Sequence, residues 1–492
     1  MGLDKFPDNN NLIKLLRTVT SDEWKEYEKF VSSPFFNEGR NYLPLLKVLR
    51  KFHPDYDSDE FSKEYVYKKL FPGKEFKDSV LSSMFSRLYS ISEEFLIQIA
   101  LKNNKYMIKE KLMINELSTR GISLKVNNLI DDNMNFLKEK PFGIFDFKNL
   151  NELKFEILNF YIGINNREKV YDSMVDLMKY SAYSYFFDLN FYYSILYSQK
   201  NFWKEEFDGS FISRLNDNIN IEAIVNLIEK EDLEHFIPIK LFYLSYMATK
   251  YPEEDRYYFD LKSLYLKESD KFDMIFKEIL LNNLWRLSSM KMVQGKNDFK
   301  YEAFEIRKLI IEQNIIALTA PYMKISDFRS TLVDALNVGE LAWAEKFIED
   351  YLDKLHPDFR EDVSNYSRSR IFYEKGDFDK ALEFAGKVNI NQITFKLDIK
   401  NIVSKIYYDT GSTEPLFSLL NSYYQLINNS DSKNADYLLR HKNFVKYLRR
   451  LADIQSLSEN KTELEILRNT VDKDNVSAKS WLLKKVNGLI LK

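Results

Sequence analysis

Apolar positions along the chain recur at steps of three and four, from which a succession of helices is predicted. Thr20 and Glu23 stand at capping-box spacing, and Trp24, Tyr27, Phe30 and Val31 follow in helical register. This helix is expected to stop at Ser32-Ser33-Pro34, because Pro34 drives Ser33 out of the α region. A second helix carries Leu43, Leu46, Leu49 and Phe52, and a third carries Phe61, Tyr65, Val66 and Leu70. The clearest stripe is Leu81, Met84, Phe85, Leu88, Ile91, Phe95, Leu96 and Ile99, with Asp78 placed to cap its start. Helical spacing then runs on to Lys140 and breaks at Pro141-Phe142-Gly143.

From Phe147 to Lys291 the only prolines are Pro238 and Pro252. This stretch is dense in aromatics, among them Tyr183, Tyr185, Phe186, Phe187, Phe191, Tyr192 and Tyr193. Alternation there could suggest a strand, but Leu189, Tyr192 and Leu196 keep helical spacing and no hairpin turn is near. The whole chain of 492 residues holds only 13 Gly and 11 Pro, too few for an all-β fold. The expectation is an all-α protein with more than about 65% helix. A chain this long exceeds a single core, so several units or a repeat stack are expected. The 38 Phe and 32 Tyr fit a bias toward AT-rich codons better than a set of binding platforms.

The third part of the chain repeats itself. Gly339, Gly376 and Gly411 each follow a pair of large or apolar residues, at Ala335-Leu336, Phe372-Tyr373 and Tyr407-Tyr408. Each is followed at fixed distance by Ala344, Ala381 or Leu416. A helical hairpin explains the pattern. Large residues end the first helix, Gly permits the tight turn, and a small residue lets the second helix approach closely. A weaker copy starts at Gly295, with Ala303 three residues late. Tyr373-Glu374-Lys375-Gly376-Asp377-Phe378-Asp379-Lys380-Ala381-Leu382-Glu383 resembles the turn and second helix of the tetratricopeptide repeat. The resemblance covers residues 295–425 and implies an α-solenoid of antiparallel helix hairpins. It departs from the family at Leu416, which replaces a small residue, and in its first helices, which lack the usual Trp and Gly.

Ser33-Pro34-Phe35-Phe36-Asn37, Leu70-Phe71-Pro72-Gly73 and Glu94-Phe95-Leu96 resemble the opening of a family of uncharacterised bacterial helical proteins. That resemblance implies a bacterial cytoplasmic origin and no activity. The expected organisation is an N-terminal helical domain over 1–140, aromatic-rich helical repeats over 141–294, and tetratricopeptide-like repeats over 295–492. Leu482, Leu483, Val486, Leu489 and Ile490 mark a last helix suited to cap an open end.

Charge and candidate chemistry narrow the function classes. Lys and Arg number 71 against 74 Asp and Glu, so no global positive excess is present to hold nucleic acid. With no Cys, disulfides, thiolate metal sites and thiol nucleophiles are excluded. His53, His235, His356 and His441 fall in no metal-ligand spacing and are read as surface or helix-end residues. Gly73-Lys74 lacks the upstream Gly and following Ser/Thr of a phosphate loop, and no G-x-G-x-x-G occurs. No metal, cofactor or catalytic residue is expected. The start, Met1-Gly2-Leu3-Asp4-Lys5-Phe6, shows neither a secretory h-region nor a myristoylation pattern, and no apolar run reaches 18 residues. A cytoplasmic location is the expectation.

Two surfaces stand out. Residues 440–492 hold 12 Lys/Arg against 6 Asp/Glu, and Arg440, Lys442, Lys446, Arg449 and Arg450 fall in one helix. That helix could contact phosphates, or simply have a basic outer face. In the tetratricopeptide register, counting back from the turn glycines puts Arg329 on the inner face of the first hairpin. Tyr366, Arg370 and Tyr373 follow in the second, and Asn401, Lys405 and Tyr408 in the third. Cationic heads, an amide and aromatic rings suit an acidic or carboxylate-ended peptide, although Val333 sits where the family's carboxylate-binding pattern wants Asn. The expected function is a non-catalytic scaffold binding a peptide or protein segment. A nucleic-acid binder using the basic helix, and an enzyme of unrecognised type, are the alternatives.

Overall fold

The structure is a computed structural model and describes residues 10–37, 39–103, 107–203, 210–315, 321–431, 435–457 and 461–491. It is all-helical, with 79% helix and, among the described residues, 24 α-helices and no strand. The reading of Met1–Phe6 lies outside the described residues.

Contacts divide the chain into two compact units. The first comprises residues 1–136 and 152–175, and the second residues 137–151 and 176–492. The break at Pro141-Phe142-Gly143 lies within the second unit.

The first unit opens with α1 (Asn11–Arg17), α2 (Ser21–Val31), α3 (Leu43–Arg50), α4 (Lys63–Leu70) and α5 (Asp78–Lys102). Thr20 and Glu23 form the expected capping box, each side chain bonded to the other's backbone N–H. Leu81, Met84, Phe85, Leu88, Ile91 and Phe95 of α5 are buried against Trp24, Tyr27, Leu45, Leu46 and Leu49. Asp78 does not cap α5. It is the first helical residue, with Lys77 at the cap, and its carboxylate pairs instead with Lys63 at 2.9 Å. The unit continues through α6 (Ile108–Thr119) and into α7 (Ser123–Glu139), α8 (Asp146–Gly163) and α9 (Arg167–Trp203). The aromatic segment is helical throughout α9, as its spacing predicts.

The second unit holds α10 (Phe211–Asp217), α11 (Ile221–Glu231), α12 (Leu233–Lys250), α13 (Asp255–Glu268) and α14 (Met274–Val293). It continues with α15 (Phe299–Glu312), α16 (Ile325–Asn337), α17 (Leu341–Tyr351), α18 (Pro357–Glu374) and α19 (Phe378–Gly386). The chain ends in α20 (Ile393–Asp409), α21 (Thr413–Asn428), α22 (Ala435–Leu457), α23 (Lys461–Lys473) and α24 (Lys479–Ile490). Phe187, Tyr193, Phe242, Tyr258, Tyr265 and Phe276 are core residues here, which is where the aromatic richness goes.

The turn glycines explain the local geometry. Gly295, Gly339, Gly376 and Gly411 have φ of 91°, 87°, 77° and 69°, a region that a Cβ penalises. Each turn is closed by the same pair of hydrogen bonds. At Gly376 its own N–H donates to the Tyr373 carbonyl, and the Asp377 N–H donates to the Phe372 carbonyl. The helices on either side pack together as α14–α15, α16–α17, α18–α19 and α20–α21. Ala303, Ala344 and Ala381 are fully buried behind these turns, and Leu416 is buried in the last. The preceding helices also touch one another, α16 on α18 and α18 on α20. In α24, Leu482, Val486 and Leu489 are buried in a core shared with α22 and α23.

Candidate functional site

The contacts of α16, α18 and α20 bring residues 69 positions apart onto one carboxylate. Arg329 of α16 donates from Nε and Nη2 to the two oxygens of Asp398 of α20, at 2.8 Å each. Tyr366 of α18 donates its hydroxyl to the same carboxylate at 2.5 Å. Arg370, one turn further along α18, lies 3.5 Å from Asp398 and 3.3 Å from the Tyr366 hydroxyl. Arg329 also reaches the Tyr437 hydroxyl of α22 at 3.5 Å. Burial alone would raise the Asp398 pKa, but Arg329 and Arg370 outweigh it and hold the carboxyl down at about 2. Burial pulls the guanidinium of Arg329 down, yet Asp398 more than restores it.

One carboxylate does not neutralise the cations gathered here. Lys405, two turns after Asp398 on α20, carries its ammonium 4.3 Å from the centre of the Tyr373 ring. Of the nearby carboxylates, Asp398 is engaged with the arginines and Asp409 with Lys485 at 2.6 Å, while Glu374 is exposed. Burial first, then the neighbouring Arg370, lowers the Lys405 pKa to about 8. The Nε of Arg370 and the Nδ2 of Asn401 are buried without a hydrogen-bond partner among the described residues. Burial thus leaves donors in search of an acceptor, which is unfavourable unless something fills the gap.

Of the seven residues expected on the inner face, Arg329, Tyr366 and Arg370 meet on Asp398, and Lys405 meets Tyr373. Arg329, Tyr366 and Arg370 form the floor of the cluster and are largely withdrawn from solvent, and Asn401 is buried one turn after Asp398 on α20. Lys405, Tyr373 and Tyr408 are half-buried and form the rim. Trp481 of α24 packs edge-on against Tyr408, with ring centroids 5.5 Å apart. The residue missed in the sequence is Asp398, the acid that organises the floor. Its signal was a lone carboxylate inside the buried run Phe395, Leu397, Ile402, Ile406.

The basic helix divides. At about 100° per residue, Lys442, Lys446, Arg449 and Arg450 share one side of α22 and Arg440 lies opposite. Three of the four are engaged with aromatic or amide neighbours. Lys442 lies 5.2 Å over Tyr424, Lys446 lies 5.2 Å over Tyr447, and Arg449 sits 5.9 Å from Phe417 while donating to Asn421. Arg440 is half-buried, and burial holds its pKa below the usual arginine range.

The reading of all four histidines as surface or helix-end residues needs correction at His441. It lies mid-helix, 4% exposed, with Nδ1 2.5 Å from the Tyr423 hydroxyl, which itself donates to the Leu397 carbonyl at 2.9 Å. The Tyr423 hydroxyl has a single hydrogen, so Nδ1 must be the protonated nitrogen of a neutral ring. Burial pushes the His441 pKa down to about 4. His235 is also buried, at the start of α12, with Nδ1 3.1 Å from the Asp232 carboxylate. Among the described residues no three His, Cys, Asp or Glu side chains converge as metal ligands. None of the described helices is long and apolar enough to cross a membrane.

Compared with protein-family models, curated proteins and solved structures, the chain matches none.

Proposed function

We propose that this chain is a non-catalytic protein–protein interaction scaffold of bacterial cytoplasm. In this reading an N-terminal helical domain leads into a tetratricopeptide-like stack of antiparallel hairpins. Its inner face takes up an acidic peptide or protein segment.

One observation carries the reading. Three alternate helices, α16, α18 and α20, each ending at a turn glycine, contribute Arg329, Tyr366, Arg370 and Lys405 to a single cluster whose cations outnumber its one buried carboxylate. Two donors there have no partner, and the rim is aromatic. A charged acceptor from a ligand would satisfy donors that the fold leaves empty, and Tyr373 and Tyr408 would flank it with apolar surface.

The test is a pull-down with the full chain, followed by mass spectrometry, then repeated with variants. Arg370→Glu combined with Lys405→Glu reverses the charge of the face, and Tyr408→Ala alters the rim while leaving Asp398 and its partners in place. Both are expected to lose the recovered partner. A partner retained by variants whose circular dichroism melting is unchanged would remove this face as the binding surface.

A further inference from the structure

Helix α9 presents an apolar stripe that its own fold leaves open. It is the longest of the described helices, at 37 residues. Within the second unit its Met178, Ala182, Tyr185, Leu189, Tyr192 and Leu196 follow one another at alternating steps of four and three. In the sequence the same alternation starts at Tyr171 and Val175. Tyr183 and Phe187, on the opposite side of the helix, are buried in the core. On the stripe only Leu189 is buried. Met178 is 70% exposed, Tyr192 55%, Leu196 45% and Tyr185 42%, and Ala182 is exposed as well. The two charged side chains of this stretch, Lys179 and Asp188, lie roughly a quarter-turn off the stripe on either side. Lys179 already pairs with Asp232 at 2.5 Å.

We propose that this stripe is a self-association surface, on which α9 of a second copy of this chain packs as a coiled coil.

The period selects the kind of partner. Steps of four and three advance 3.5 residues per turn, while an α-helix advances 3.6, so the stripe drifts slowly around α9. A helix of the same period, supercoiled with it, keeps contact along the whole length of about 27 Å. A second α9 has that period and that length, and a two-fold axis sets the stripe against itself. The stripe bears no charge, so it offers nothing to an acidic or basic partner, whereas two such stripes match one another. Its exposed side chains amount to on the order of 450 Å² per copy, more than scattered surface residues leave on a monomer. That is about half of what each partner contributes to a standard-size interface, so the dimer is weak and concentration-dependent. This surface lies on α9, not on α16, α18 and α20, and does not rest on peptide binding.

The experiment is sedimentation velocity on the full-length protein from about 1 to 100 µM, the range of a weak dimer. Wild type is expected to shift from monomer toward dimer with concentration. Tyr185→Glu with Tyr192→Glu sets like charges against each other and should raise the dissociation constant at least about tenfold. Met178→Glu, at the most exposed position of the stripe, should weaken the dimer likewise and carries the test should the double variant fail to fold. Arg370→Glu with Lys405→Glu should leave the dimer intact, which separates this surface from the inner face. A wild type that stays monomeric across the range would overturn the proposal. So would a dimer that survives in a glutamate variant whose circular dichroism melting is unchanged.

Discussion

Arg329 and Asp398 meet through two parallel hydrogen bonds of 2.8 Å, although 69 residues separate them in sequence. The pair is the centre of the polar floor between α16, α18 and α20, and it sets the first prediction. Asp398→Ala leaves two guanidinium groups and the Tyr366 hydroxyl without their shared acceptor in a largely buried place. Breaking a buried pair from one side costs about 3–5 kcal/mol. A fall of that order in the urea unfolding free energy is expected, with Asp398→Asn nearly as damaging. An unchanged midpoint would show that the floor does not hold these helices together.

Acid should reveal the buried histidine. The folded His441 pKa is lowered to about 4, from an ordinary value of 6.5, because burial disfavours the charged ring. The unfolded chain therefore binds the proton first. The contribution of neutral His441 is complete above pH about 6.5 and erodes as pH falls toward 4, by up to about 3 kcal/mol. His441→Gln should be less stable at neutral pH but lose less on acidification over that window. The Asp398 contribution belongs to a lower window, from the unfolded carboxylate value of about 4 down to about 2. Parallel stability–pH curves for wild type and His441→Gln between pH 6.5 and 4 would refute the assignment.

Close helix approach behind the turns should be intolerant of volume. Ala381 is fully buried at the α18–α19 contact, where its carbonyl accepts from the Ser369 hydroxyl at 2.9 Å. Ala381→Leu is expected to overpack this hairpin and cost about 1–3 kcal/mol, measured as a drop in the denaturation midpoint. Ala344→Leu should behave alike in the α16–α17 pair.

The basic side of α22 gives a negative expectation. Lys442, Lys446 and Arg449 already lie against Tyr424, Tyr447, Phe417 and Asn421. Fluorescently labelled DNA or RNA should therefore show no change in anisotropy with the protein even at low salt. Binding that weakens steeply with salt and vanishes in Arg449→Ala with Arg450→Ala would establish a phosphate-contacting surface instead.

Much of the local structure is readable from residue spacing. Turn glycines, the Thr20–Glu23 box and the α5 stripe each depend on neighbours within a few positions, so spacing alone specifies them. Short or polar elements carry a weaker signal. Helix α1 has only seven residues, and its buried Leu12, Ile13 and Leu16 are too few to mark a period. Asp78 shows the one-residue ambiguity of helix starts, where a first-turn acid and a capping acid read alike. Arg329, Tyr366 and Arg370 can be numbered from the glycines, but the carboxylate they meet cannot. Whether a carboxylate such as Asp398 faces water or two arginines depends on which helix lies beside α20. His441 escaped for the same reason, because its partner Tyr423 comes from another helix.

The hydrogen bonds that Asp398 collects also bear on how fast the chain breathes. Where each helix leans chiefly on the next in sequence, amide exchange can proceed pair by pair, with its own rate in each hairpin. A single side chain that binds Arg329, Tyr366 and Arg370 forbids that independence. The slowest amides of α16, α18 and α20 should consequently exchange on one shared clock, and Asp398→Ala should split it into three.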